Sequence, residues 1–380
     1  VLIDVTRLLD RQLKGRLPTG VDRVGLEYVR HYGDHAQALV RFGGRWVELN
    51  RSDSRRLFSA LLTPTENFRH WVYRCLGHSY AWRWPRWGKQ NRWLFNTGHS
   101  GLDDREYARR IQRSGLRPIF FLHDLIPLTH PEYCRPGSAA KHHQRLETML
   151  HLGHGLILNS QDTHTFLASY AANHHWTVPP HVVAHLAPPP FPPPSPDRPL
   201  EDPYFVVLGT LEARKNHLLL LNLWREWGAS GEKNIPRLVL IGQRVWECEQ
   251  VVDMLERCEA VQPHVLEVSR CSDGDLATWL YHAQALLFPS FVEGFGMPLV
   301  EALSLRVPVI ASDLPVFREI AGDCPVYLHP LDGLGWKRAL LSFLDSSSVE
   351  RQSQCQRLHT CRIQTWTDHF AQVDALLERL

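Results

Sequence analysis

Nowhere in the 380 residues do some 20 apolar positions follow one another, about the length a bilayer-spanning helix needs. No spanning segment is therefore expected, and no signal peptide precedes Val1. An excess of one charge is missing as well. The formal net charge is +2, too small to force a polyanionic partner, and no nucleic-acid partner is expected. Paired cysteines are missing too. The eight cysteines lie scattered at Cys75, Cys134, Cys248, Cys258, Cys271, Cys324, Cys355 and Cys361, with no Cys-x2-Cys among them. Neither a zinc site nor a disulfide framework is expected, and reduced thiols in a cytoplasmic protein are the plain reading. The 22 histidines show no ligand spacing to carboxylates. His142-His143 and His174-His175 are read as surface or core residues. The chain begins on Val1 and lacks a Met there, which leaves open that it is an excised part of a longer protein. What remains is an ordinary globular balance, 44% hydrophobic and 22% charged. At this length two domains are expected.

The most informative stretch runs from Phe288 to Ala311. An apolar strand-like run, Ala285-Leu-Leu-Phe288, stops at Pro289-Ser290. Gly294-Phe295-Gly296 follows, and Pro298 suits the first turn of a helix because its missing N–H is unpaired there anyway. Leu299, Val300, Ala302 and Leu303 continue the helix, and Pro308-Val-Ile-Ala311 opens another strand. Glycines let a ligand approach the backbone, and the first helical N–H groups favour phosphate. Glu293 and Glu301 bracket this cradle. Carboxylates accept hydrogen bonds from sugar and ribose hydroxyls, so the pattern suits a sugar nucleotide better than a bare nucleotide.

The segment Glu293-Gly-Phe-Gly-Met-Pro-Leu-Val-Glu301 resembles the Glu-x7-Glu signature of family 4 retaining glycosyltransferases with the GT-B fold. A second stretch, Gly209-Thr-Leu-Glu-Ala-Arg214-Lys215-Asn216, follows the strand-like Tyr204-Phe-Val-Val-Leu and is similar to that family's Gly…Arg-Lys-Asn stretch. The resemblance covers nearly the whole chain and is most specific in its second half. It implies an α/β protein of two Rossmann-like domains facing across a cleft. They would be an acceptor-binding domain, 1–194, and a nucleotide-sugar-binding domain, 199–380, whose last helix, about 366–380, crosses back to the first. It also implies donor contacts from Gly20, Gly209, Arg214, Lys215, Arg270, Glu293, Gly294, Phe295, Gly296, Met297, Leu299 and Glu301. The catalytic set would be His123, Arg214, Lys215 and Glu293, with Lys215 and Glu293 on a polar cleft. Thr19, Asp124 and Ser160 would line the acceptor side. His329 stands where the family usually has an acid before proline, and the role of that turn is left open.

The first half carries the matching segments in order. The loop Lys14–Gly20 enters a helix at Val21, His123-Asp124 ends a buried strand, and Ser160 caps a helix. The run Ala187–Pro196, rich in proline, reads as a semi-rigid linker. Between Arg55 and Arg92 stand eight basic residues against one acid, Glu66, interleaved with Trp71, Trp82, Trp84 and Trp87. This composition suits an anionic membrane surface, with an insertion packed on its own domain as the bland reading and a nucleic-acid surface as a third. Asp273-Gly-Asp275 has the spacing of a metal-binding pair but opens a helix, where acids cap. No metal or other cofactor is expected. The implied reaction moves a sugar, mannose from GDP-mannose by overall likeness, to a glycan or lipid-linked saccharide acceptor. It would take place in bacterial polysaccharide assembly, at the inner face of the cytoplasmic membrane. A GT-B sugar-nucleotide epimerase and a non-catalytic sugar-binding domain are the alternatives.

Overall fold

The computed structural model describes residues 1–63, 68–82, 91–245 and 247–380. The chain divides into two units. The first comprises Val1–Thr129, Pro136–Leu186 and Trp366–Leu380, and the second His130–Arg135 and Ala187–Thr365.

The first unit holds strands β1 (Leu2–Asp4), β2 (Gln37–Phe42), β3 (Arg45–Glu48), β4 (Trp93–Asn96), β5 (Arg117–Leu122), β6 (Gly155–Leu158) and β7 (His181–Val183). They lie in the order β3-β2-β1-β4-β5-β6-β7. All neighbours are parallel except β2 and β3, a hairpin turning on Gly43-Gly44. The second unit holds β8 (Tyr204–Leu208), β9 (Arg237–Ile241), β10 (Val265–Val268), β11 (Leu286–Phe288), β12 (Val309–Ser312) and β13 (Val326–Leu328). Its order, β10-β9-β8-β11-β12-β13, is the doubly wound Rossmann order.

The apolar runs are nearly continuous because parallel strands are covered on both faces. Alternation sorts them. Phe205, Val207, Leu238, Leu240, Leu287 and Ile310 meet Trp224, Trp227 and Trp336 on one side of the second sheet. Tyr204, Val206, Val239, Ile241 and Phe288 meet Leu299, Ala302, Leu303 and Phe317 on the other. The helix Trp366–Arg379 belongs to the first unit. It buries His369, Phe370, Val373 and Leu376, and Tyr32 donates to its Asp374 at 2.7 Å. A Cβ at Gly155 would stand 2.9 Å from Leu380 Cδ1, so a bare backbone at the start of β6 lets this helix lie close.

One expectation needs correction. Cys324 and Cys361, 37 residues apart, form a disulfide with Cα atoms 6.1 Å apart, so not all eight thiols are reduced. One follows the helix Pro315–Ala321 and the other ends the helix Val349–Thr360. Folding alone brings them together, which spacing along the chain does not reveal. The aromatic-basic stretch contains two helices, Arg51–Leu62 and Phe68–Trp82. Phe68, Val72 and Leu76 are core residues, while Tyr73 is 54% exposed. Arg92 pairs with Glu48 at 2.7 Å. Arg83, Trp84, Arg86, Trp87 and Lys89 lie outside the described residues. Among the described residues no helix is long and apolar enough to cross a membrane.

Candidate functional site

In a doubly wound sheet the loops after two strands part at the point where the strand order reverses, and this opens a crevice at their carboxyl ends. In the second unit that point lies between β8 and β11. The loop after β8 carries Gly209 to Asn216, and the loop after β11 carries Pro289 to Gly296. These are the two stretches singled out by sequence, and side-chain contacts join them.

Glu293 sits at the centre. Its Oε1 lies 2.6 Å from Lys215 Nζ and its Oε2 lies 2.7 Å from Arg214. Ser290 donates to Oε1 at 2.8 Å. Arg214 also pairs with Glu212 at 2.7 Å and donates to the Val292 carbonyl at 3.2 Å. Lys215 Nζ stands 4.9 Å from the centre of the Phe288 ring, within cation–π range. Asn216 adopts a left-handed conformation, φ +56°. Its amide donates to the carbonyls of Pro289 and Pro330 at 3.1 and 2.8 Å, which ties the two loops together.

The electrostatics follow from burial and pairing. Burial alone would raise the Glu293 pKa, but Arg214 and Lys215 outweigh it and bring the carboxyl down to about 2. Burial pulls Lys215 below the ordinary lysine range, opposed by Glu293. Neighbouring His217, buried and close to Lys215, falls to about 4 and is neutral near pH 7. Glu293 is thus an ionised, acceptor-only carboxylate that cannot shuttle a proton near neutrality.

Glycine is required at two points. Gly209 has φ +139°, and a Cβ there would meet Lys215 Cε at 3.4 Å. Gly296 has φ +105°, and a Cβ would fall 2.6 Å from Phe317 Cε1. Gly296 caps the helix Met297–Ser304, with Pro298 in its first turn. Glu301 is buried within this helix, and Phe295 is buried beside it.

Four of the expected residues differ in exposure. Leu299 is fully buried in the core, and its N–H donates to the Gly296 carbonyl at 2.9 Å, which supports the loop. Arg270 is exposed beyond β10, at the sheet edge and two strands from β8. Lys215 and Glu293 are 7% and 8% exposed, an internal ion pair and not residues of an open polar cleft. Sequence reasoning missed Ser290 and His217. Ser290, three residues before Glu293 and just past a strand, was the better signalled of the two.

In the first unit, Thr19 and Asp22 form a capping box at the start of the helix Gly20–Tyr32. Asp22 is buried and holds Arg7 at 2.7 Å and Arg11 at 2.8 Å. His123 closes β5. Its Nε2–H donates to the Thr97 carbonyl at 2.7 Å, and burial lowers its pKa to about 4. His99 and His142 stand nearby, with ring centroids 5.1 and 6.0 Å from each other in the pairs His99–His123 and His99–His142. Burial likewise keeps both below the usual histidine range. Asp124 caps the next turn by accepting the Ile126 N–H at 3.0 Å. Ser160 is fully buried and caps the helix Gln161–Asn173. Asp275 is engaged with Ser272 in a second capping box. Among the described residues no three His, Cys, Asp or Glu side chains could hold a metal together.

Residues 193–329 match the family described as glycosyl transferases group 1. Serotype-specific mannosyltransferase WbdA of Escherichia coli is 28% identical over 230 residues, covering 56% of this chain and 28% of that protein. O-antigen chain mannosyltransferase B of Escherichia coli is 29% identical over 163 residues, covering 43% and 42%. The chain therefore matches less than half the length of these curated relatives. Among solved structures, Anabaena Alr3699/HepE in complex with UDP-glucose superposes with a TM-score of 0.67 at 12% identity, over 99% of each chain. Sucrose-phosphate synthase from Thermosynechococcus elongatus gives 0.59 at 16% identity, over 84% and 80%. With this strand order and these likenesses, the chain has the α/β fold of these glycosyltransferase structures, and its residues 193–329 are similar to glycosyl transferases group 1.

Proposed function

We propose that the protein is a retaining glycosyltransferase that moves a hexose from a nucleoside-diphosphate donor to a glycan hydroxyl in polysaccharide assembly, with mannose from GDP-mannose as the sugar. The carrying observation is the Arg214–Glu293–Lys215 constellation at the β8/β11 crevice, beside a glycine loop that enters a helix. The two cations would face the charge gained by the departing diphosphate, and fixed charges in a dry site stabilise such a group strongly. Glu293 holds both cations in position and, being ionised, accepts hydrogen bonds from sugar hydroxyls. Glu301 would hold the ribose. Neutral His123 is assigned to the transferred sugar.

No protein base is required. Front-face attack lets the leaving phosphate oxygen take the acceptor's proton: the acceptor C–O bond forms, the anomeric C–O bond to phosphate breaks, and the proton ends on the diphosphate. The mannosyltransferase names of the curated relatives support the choice of sugar, whereas HepE was crystallised with UDP-glucose. The test is incubation with GDP-, UDP- and dTDP-sugars without acceptor, following the released nucleoside diphosphate and the product anomer by NMR. Slow hydrolysis of GDP-mannose with retention supports the reading. Conversion of the intact nucleotide sugar into its epimer would overturn it.

A further inference from the structure

The first unit has its own strand-order reversal, between β1 and β4. At the carboxyl ends of β1, β2 and β4 lies a cavity of about 830 Å³. Its lining includes five basic residues, Arg7, Lys14, Arg41, Arg69 and Arg145, against one carboxylate, Asp10. Phe42 and Tyr73, 39% and 54% exposed, complete an aromatic wall with ring centroids 6.4 Å apart.

The cations are held in place. Asp22 grips Arg7 through Nε at 2.7 Å, and Asp103 grips Arg145 through Nε at 3.2 Å. Lys14 lies 2.8 Å from Asp10, and Arg69 Nε donates to the Leu13 carbonyl at 2.9 Å. Arg41 is only 18% exposed, bonds Ser100 and stands 3.4 Å from Asp4. A Cβ at Gly101, φ +78°, would fall 1.7 Å from Arg41 Nη1, so a glycine makes room for this guanidinium. Counting Arg11, which shares Asp22, six cations in these contacts meet four carboxylates, Asp4, Asp10, Asp22 and Asp103. The excess is two positive charges beside a pocket large enough for a ligand of disaccharide size. Positioned guanidinium groups match the geometry of phosphate and carboxylate oxygens, and the aromatic faces suit the C–H faces of sugar rings.

We propose that this cavity is an anion subsite for a glycan that carries a phosphate or carboxylate group, and that it holds the acceptor during transfer. The acceptor role rests on the transferase reading; the binding does not. The subsite explains why the cations crowd the ligand-binding end of this sheet when the chain as a whole is close to neutral.

The test is saturation-transfer NMR on the full chain with mannose 1-phosphate, glucuronate and methyl mannoside as probes. Wild type is compared with Arg69→Ala, Arg145→Ala and Arg214→Ala, each checked by thermal melting. The expected result is binding of the anionic probes, weakened at least tenfold by Arg69→Ala and Arg145→Ala and by high salt, and retained by Arg214→Ala. Binding of both anions supports a general oxyanion site. Binding of the phosphate alone narrows the acceptor to phosphorylated glycans. Should Arg145→Ala melt early, Arg69→Ala, whose partner is a backbone carbonyl, decides. Equal binding of methyl mannoside, or loss only in Arg214→Ala, overturns the subsite while leaving transferase activity intact.

Discussion

Under the proposed function, Lys215 and Glu293 carry both the chemistry and a structural load. Removing either from the wild-type pair should lower turnover by about 10²-fold or more, the scale of one lost preorganised electrostatic contact. The sequence placed both on a polar cleft, where substitution would leave folding untouched. Their burial changes that expectation. Glu293→Ala leaves Lys215 buried beside Arg214 without its counter-charge, and breaking a buried pair costs about 3–5 kcal/mol. The double variant Lys215→Met, Glu293→Gln should recover most of the melting temperature and none of the activity. Chemical denaturation and nucleotide release measured on the same samples separate the two roles. Normal turnover in either single variant would sink the site assignment.

At the scale of elements, the loop after β11 works because glycine permits it. Gly296→Ala forces a side chain into a left-handed backbone and against Phe317, at a cost of about 1–3 kcal/mol. Phe317 stacks on Phe288 at 4.7 Å, and Phe288 lies under Lys215. The variant should therefore lose activity as well as melting temperature; an active, fully stable Gly296→Ala protein would refute this coupling. The helix opened by Asp273 leads to a different expectation. Asp275 accepts from Ser272 Oγ at 2.6 Å and its N–H donates back at 3.1 Å, so this acid is occupied with capping. Turnover is expected to survive excess EDTA, and a loss restored by Mg²⁺ or Mn²⁺ would overturn that.

These loops also show what was legible. Strand, glycine turn and helix start are local patterns, and the Gly209 and Glu293 stretches could be read because the chemistry sits within a few residues of each motif. Their mutual contact, 78 residues apart, was legible only through resemblance. The Cys324–Cys361 bond, the packing of His99 near His123 and the first-unit cavity depend on long-range packing. Neither spacing nor composition carries that information. That the Leu299 side chain faces the core was equally hidden, because proximity to a motif says nothing of which way a helical side chain faces.

Across the whole molecule, buried neutral histidines should set the acid limit of stability. His123 and His369 in the first unit and His217 in the second each have a folded pKa near about 4, chiefly through burial. His369 shows why. Its Nδ1–H faces the Ala184 and His185 carbonyls, and its Nε2 accepts from Tyr28 at 2.9 Å. A second proton would bury a charge in the core and force Tyr28 to accept instead of donate, displacing its own hydroxyl proton from this partner. The unfolded chain binds that proton near pH 6.5, so the stabilisation is full above 6.5 and is lost as pH falls toward about 4. Each histidine then removes about 2 kcal/mol between pH 7 and pH 5. Glu293 does not contribute in this window, because its stabilisation is lost only below the ordinary carboxylate range. Urea midpoints should therefore drop on going from pH 7 to pH 5. Replacing His369 with glutamine, which keeps a donor and an acceptor but does not titrate, should remove its share of the slope. A midpoint unchanged between the two pH values would mean that these histidines are hydrated in solution.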